Sequence, residues 1–157
     1  MVKIKKKIIS FNTWPTFTEK EIKVANKVIA SGKVNYWTGI YCKKFELNFK
    51  KKFGLKHTIS VANGSLALDA AVNVLNLKKN DEVIVTPRSY VSSASCVQKT
   101  SAKIRFVDVD LNTQNISIDE IKKNINSNTR LIICVHLAGW PCDIEQIKKI
   151  IGKRNIR

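Results

Sequence analysis

The shortages in this sequence narrow its reading first. It has one methionine, three prolines, two histidines and four cysteines in 157 residues. No two cysteines have C-x-x-C spacing, and Cys96 and Cys134 fall within apolar patterns. Cys42, Cys96, Cys134 and Cys142 therefore read as reduced thiols, neither metal ligands nor disulfides. No apolar run reaches the ~18 residues a membrane span needs. The basic start, Met1 to Ser10, has too short an apolar part for a signal peptide. No membrane is expected, and the cytoplasm is the default location. Acidic residues are also scarce: 12 Asp and Glu against 28 Lys and Arg, a net charge of +16. That excess suits a nucleic-acid partner or a solvated, Lys-rich surface. Only five of the basic residues are Arg (Arg88, Arg105, Arg130, Arg154 and Arg157), and the other 23 are Lys, spread over nearly every expected helix. Arg dominates base readout while Lys more often solubilises. No helix-turn-helix, RNP or zinc pattern is present. The solvated-surface reading is favoured, and a non-catalytic basic nucleic-acid-binding protein stays as an alternative.

The remaining composition is that of an ordinary soluble domain, 44% hydrophobic and 25% charged, long enough for one real core. One stretch organises it: Thr58-Ile59-Ser60-Val61-Ala62-Asn63-Gly64-Ser65-Leu66-Ala67-Leu68. Ile59 to Ala62 reads as a strand, Asn63-Gly64-Ser65 as a turn, and the Ala/Leu run to about Leu75 as a helix. A helix start has unpaired N–H groups and the positive end of the helix dipole, so it can hold a phosphate. Gly64 would let an anion approach the backbone. Ser65 would cap the helix or give its hydroxyl to the anion. An ordinary capped helix without a ligand fits the same residues.

Around that stretch the chain reads in order. Phe11 to Pro15 is an extended arm. Thr18-Glu19-Lys20-Glu21 is a capping box before a helix that Gly32 stops. A polar aromatic loop, Asn35-Tyr36-Trp37-Thr38-Gly39, leads to a second helix closed by Gly54. Its Phe45, Phe49 and Phe53, spaced four apart, predict a core-packed stripe. After Lys78 to Asp81, a turn, the pattern alternates. Strands are expected at 82–86, 103–109 and 130–135, and helices at 89–99, 118–126 and after the cap Asp143. Ser117-Ile118-Asp119-Glu120 is a second capping box. The alternation β-α-β-α-β-α-β-α predicts an α/β fold with a largely parallel sheet, with ligands at the carboxyl ends of its strands.

Several of these stretches together resemble one family. They are Val61-Ala62-Asn63-Gly64-Ser65-Leu66-Ala67-Leu68, Asp81-Glu82-Val83-Ile84-Val85-Thr86-Pro87 with Ser89-Tyr90-Val91-Ser92-Ser93-Ala94, Phe106-Val107-Asp108-Val109-Asp110, and Val135-His136-Leu137-Ala138-Gly139. Tyr36-Trp37-Thr38-Gly39 and Phe45-Glu46 join them near the start. Their order and spacing resemble the pyridoxal-phosphate-dependent nucleotide-sugar aminotransferases, the DegT/DnrJ group. The resemblance implies a three-layer α/β/α fold with a mostly parallel sheet, the aspartate-aminotransferase fold (fold type I), here truncated. It makes residues 1–57 an N-terminal arm with helices, and residues 58–157 the N-terminal part of the cofactor-binding large domain.

The resemblance also implies roles. Gly64 and Ser65 would hold the phosphate of pyridoxal 5′-phosphate, with Ser where the family usually has Thr. Tyr90 would stack on the pyridine ring, and His136 would stand near the cofactor. Without the family, Tyr90 reads as a half-buried packing tyrosine and His136 as a structural histidine. Tyr36, Trp37, Thr38 and Gly39 would line the substrate pocket. No catalytic residue is expected in this chain. The family's cofactor-bonding lysine and the carboxylate opposite the ring nitrogen would come later, so this stretch alone should be inactive. The implied activity of the whole protein is transfer of an amino group, with glutamate as donor, to a nucleotide-linked keto-sugar, in lipopolysaccharide or related glycan synthesis, as a homodimer. A dehydratase of the same family, with the lysine replaced, remains a further alternative.

Overall fold

The computed structural model describes residues 14–157. Of the expected arm at Phe11 to Pro15, only Trp14 and Pro15 fall within that range; the rest, like the basic start, lies outside the described residues. The chain forms two compact units, Met1–Ser60 and Val61–Arg157.

In the first unit, α1 spans Glu19–Ala30 and α2 spans Tyr41–Phe53. The start of α1 follows its sequence. Glu21 N donates to Thr18 Oγ1 at 3.3 Å, and Thr18 N donates to Glu21 Oε2 at 2.7 Å, the reciprocal capping box. Gly54 closes α2 in the left-handed region, φ +64°, with its N–H on Lys50 O. The phenylalanine stripe forms, with ring centroids 5.8 Å apart for Phe45 and Phe49 and 4.5 Å for Phe49 and Phe53. It is not core packing within the unit: Phe45, Phe49 and Phe53 are all exposed, and neither α1 nor α2 has a buried residue. Helical periodicity marks a face that is apolar without saying what covers it.

The expected strand at Ile59 to Ala62 is not formed. The Ser60 N–H, which a ladder would need, donates instead to Glu46 Oε1 at 2.8 Å, and the Ile59 side chain lies exposed.

In the second unit the order is α3 (Gly64–Asn73), β1 (Glu82–Val85), α4 (Ser92–Gln98), β2 (Lys103–Phe106), α5 (Ile118–Asn124), β3 (Thr129–Ile133), a 3₁₀ turn (Leu137–Gly139) and α6 (Ile144–Ile151). The strands and α4 are shorter than their apolar patterns suggest. The three strands are all parallel, in the order β2-β1-β3, with Val83 opposite Ile104 and Leu131. Beside β3, Arg157 N donates to Arg130 O and accepts at its carbonyl from Ile132 N, both at 2.9 Å. Ser117 accepts from Glu120 N and so caps α5, but the Glu120 carboxylate turns to Lys123 and Asn124. That second box is therefore only half made.

The alternation of side chains along β1 makes the layers. Ile84 points into a cluster with Val107, Ile121, Ile132, Ile147 and Ile156, on the side of α5 and α6. Val83 and Val85 point into a second cluster with Val72, Cys96 and Val97, on the side of α3 and α4. Burial on both faces explains the unbroken apolar runs of β1 and β3. The result is the expected α/β/α sandwich around a parallel sheet.

Candidate functional site

In a parallel sheet with helices on both faces, the loops at the carboxyl ends of the strands share one edge. Tyr90 lies in the loop after β1, and His136 in the loop after β3. Lys99 Nζ, at the C-cap of α4, donates to Asp69 in the middle of α3 and so ties the two helices together. Tyr90 and His136 share the carboxyl edge of the sheet, while Gly64 and Ser65 stand at the start of α3, the helix packed beside α4.

Each has a local reason for its state. Asn63, not Ser65, is the N-cap of α3: its extended backbone lets Oδ1 accept from Leu66 N at 3.0 Å. The fourth helical N–H, of Ala67, goes to Asn63 O. That leaves the N–H groups of Gly64 and Ser65 and the Ser65 hydroxyl without partners among the described residues. A Cβ built on Gly64 would meet nothing within 4 Å. The start of α3 therefore offers two N–H donors and one hydroxyl with open space in front, which fits a phosphate group. Tyr90 is 73% exposed, so it is not a half-buried packing tyrosine, and its ring face is available. His136 is exposed, and its Nδ1 accepts from Cys142 N at 3.0 Å.

The other four candidates, Tyr36, Trp37, Thr38 and Gly39, belong to the first unit. Asn35 builds their loop. Its Oδ1 accepts from Trp37 N at 3.0 Å, Thr38 N at 2.9 Å and Thr38 Oγ1 at 3.1 Å, and its carbonyl accepts from Gly39 N at 2.8 Å. A Cβ on Gly39 would lie 2.7 Å from Asn35 O, so only glycine fits that turn. Thr38 is thus spent on its own loop, whereas Trp37 is 83% exposed and packs its edge against Tyr36 at 5.8 Å. The Tyr36 hydroxyl donates to Glu46 Oε2 at 3.2 Å. Glu46 also receives Ser60 N and Ser60 Oγ, while its carbonyl accepts from Thr58 Oγ1 at 2.7 Å. The bond from Ser60 N holds the Glu46 carboxyl below the ordinary carboxylate range, and the Glu46 charge in turn raises the Tyr36 phenol.

Sequence reading missed Asn35, Glu46 and Asn115 as organisers of these loops. Asn35 was findable, since Asn before a short polar turn commonly hydrogen-bonds the backbone ahead of it. Glu46 and Asn115 work through partners 14 and 22 residues away, which local pattern does not reveal. All four cysteines are free, as expected, and the described residues hold no cluster of three or more potential metal ligands. No helix among the described residues is long and apolar enough to cross a membrane.

The sequence profile of the DegT/DnrJ/EryC1/StrS aminotransferase family matches residues 15–157. The chain is 36% identical over 142 residues to a GDP-perosamine synthase of Escherichia coli O157:H7, covering 90% of this chain and 39% of that protein. It is similar to the crystal structure of an aminotransferase from Psychrobacter cryohalolentis, with a TM-score of 0.88 and 43% identity, over 94% of this chain and 37% of that one. It is also similar to E. coli GDP-4-keto-6-deoxy-D-mannose-3-dehydratase with bound hydrated pyridoxal phosphate, with a TM-score of 0.82 and 35% identity, over 90% and 37% of the two chains. The chain thus spans under two fifths of the length of these proteins, and over that length it has the fold-type-I architecture. Since the profile covers residues 15–157, the chain belongs to the DegT/DnrJ/EryC1/StrS aminotransferase family.

Proposed function

We propose that this chain supplies the phosphate end and one ring face of a pyridoxal 5′-phosphate site in a nucleotide-sugar aminotransferase. One observation carries the reading: Gly64 and Ser65 present unpaired donors at the start of α3, with open space around Gly64. The phosphate is dianionic near neutral pH, and the N–H groups of Gly64 and Ser65 with the Ser65 hydroxyl suit it. Tyr90 offers a flat apolar face for the ring, worth about 1 kcal/mol beyond area burial. His136, in the loop after β3, would offer a hydrogen-bonding group near the cofactor. Tyr36, Trp37, Thr38 and Gly39 form a rigid turn with one exposed indole, suited to a sugar or nucleobase of the substrate. When bound, pyridoxal phosphate supplies the electron sink that amino transfer needs.

The whole protein would take an amino group from glutamate to a nucleotide-linked keto-sugar, as a cytoplasmic homodimer, in lipopolysaccharide or related glycan synthesis. Residues 58–157 would be the first part of its large domain. The similarity to a dehydratase with bound cofactor favours one second reading, removal of a sugar hydroxyl with the same cofactor. The test is an assay of the natural protein carrying this segment, with pyridoxal phosphate, glutamate and GDP-4-keto-6-deoxymannose. Nitrogen in the sugar product supports the aminotransferase. A deoxygenated sugar without nitrogen supports the dehydratase, and neither product from cofactor-loaded protein overturns both.

A further inference from the structure

The loop after β3 is tied down more than a connection of its length requires. Asn115, 4% exposed, donates from Nδ2 to Trp140 O at 3.0 Å and accepts at Oδ1 from Leu137 N at 3.1 Å. Both of its side-chain atoms are thus committed to the turn Leu137–Gly139. Inside that turn Ala138 and Gly139 are both left-handed, at φ +50° and +84°. A non-glycine residue there is strained and persists only where its surroundings fix it. Cys142 closes the far end: its N–H donates to His136 Nδ1, and its Sγ donates to Val135 O at 3.2 Å.

These bonds have a consequence at His136. A ring nitrogen that accepts from a backbone N–H carries no proton, so in the neutral imidazole the proton is on Nε2. The Nε2–H has no partner among the described residues, and it belongs to an exposed side chain at the carboxyl edge of the sheet. We propose that Asn115 is a positioning residue: by clamping Leu137 and Trp140 it holds His136 as a fixed Nε2–H donor for an oxygen acceptor of the ligand. Identifying that acceptor as an oxygen of the cofactor or its substrate rests on the function proposed above, but the clamp and the tautomer do not.

The experiment is nitrogen NMR of the ¹⁵N-labelled chain, reading the two ring nitrogens of His136 with His57 as an internal reference. The expected spectrum has an unprotonated, hydrogen-bonded Nδ1 and a protonated Nε2 at His136, in a single state. In Asn115→Ala the pattern should collapse toward the exchange-averaged tautomers of His57, while the amides of the core residues Val83 and Ile121 stay in place. If Asn115→Ala does not fold, Asn115→Asp decides: it keeps an oxygen for Leu137 N but replaces the donor to Trp140 with a charged oxygen that repels that carbonyl, so only the Trp140 end is released and His136 should show partial averaging. A His136 pattern unchanged in either folded variant, or a protonated Nδ1 in the parent chain, overturns the proposal. Pyridoxine 5′-phosphate, which has no aldehyde to react with the lysines, is then added to the parent chain. Movement of the His136 Nε2 signal together with the Gly64 amide supports the oxygen acceptor. Movement at Gly64 alone removes His136 from the site and overturns that part of the proposal. No movement at either residue rejects the function reading and, with it, the ligand acceptor, leaving the clamp judged by the variants.

Discussion

Glu82 and Arg105 form a two-pronged ion pair across the first two strands, with Arg105 Nε 2.7 Å from Oε2 and Nη2 3.0 Å from Oε1. Asn126 Nδ2 adds a third bond at 2.9 Å. The three bonds converge on the Glu82 carboxylate at the amino end of β1, away from the carboxyl edge of the sheet. Bonds from Arg105, then Asn126, hold the Glu82 carboxyl at about 2, well below its ordinary 4.5. A depressed folded-state value means the stabilisation is fully present above about pH 4.5 and is lost as the pH falls toward 2. At most it is worth about 3 kcal/mol, trimmed by solvent because the Arg105 side chain is 41% exposed. Glu82→Gln should lower the urea midpoint at neutral pH, and its gap from the parent chain should close below pH 4.5. A gap independent of pH would mean that the charge contributes nothing.

The bond from Tyr36 to Glu46 makes a spectroscopic prediction. The Glu46 charge raises the Tyr36 phenol above its ordinary 10. Glu46→Gln removes that charge, so Tyr36 should ionise at lower pH than in the parent chain. Phenolate absorbance in a background of Tyr41→Phe and Tyr90→Phe reads it directly. An unmoved titration would show that Tyr36 and Glu46 are not coupled in solution.

Thiol reactivity should separate the four cysteines. Burial pushes Cys134 up to about 11 and raises Cys96 and Cys142 as well, whereas Cys42 is exposed. Since the thiolate is the reactive form, iodoacetamide at neutral pH should label Cys42 first and the other three only as the chain unfolds. Peptide mapping showing Cys134 labelled as fast as Cys42 under native conditions would contradict this packing.

Core and surface truncations should likewise separate. Ile84→Ala and Ile121→Ala each remove a fully buried side chain and should cost about 2–5 kcal/mol. Phe49→Ala, at a position 42% exposed, should cost within about 1 kcal/mol in this chain. Chemical denaturation of the three variants checks the order. Equal losses would show that the phenylalanine stripe is buried in solution after all.

These contrasts show what the sequence could and could not reveal. The sandwich was legible because β1 and β3 are unbroken apolar runs between capped helices, and both the Thr18 box and the Asp143 cap form as written. The strand at Ile59 to Ala62 was misread because an apolar run carries no information about its hydrogen-bond partner, which here is a Glu46 carboxylate 14 residues earlier. The phenylalanine stripe has the same weakness: spacing identifies the face and not its cover. At the start of α3 the sequence offered Ser65 either as the cap or as a hydroxyl donor to an anion, and Asn63 takes the cap. That difference frees the Ser65 hydroxyl, because Asn63 Oδ1 accepts from Leu66 N in its place.

The central claim, that the start of α3 holds the cofactor phosphate, is tested most directly by titrating pyridoxine 5′-phosphate into the chain and following the Gly64 and Ser65 amides. Gly64→Val should keep the fold, because a Cβ there meets nothing within 4 Å, yet should abolish binding by occupying the space the phosphate needs. Ser65→Ala should weaken binding by about tenfold to a hundredfold, the loss of one charge-assisted hydrogen bond. Tyr90→Ala should weaken it less, by about fivefold. Parent-like affinity in both Gly64→Val and Ser65→Ala would contradict the account and leave Asn63 to Leu66 as an ordinary capped helix.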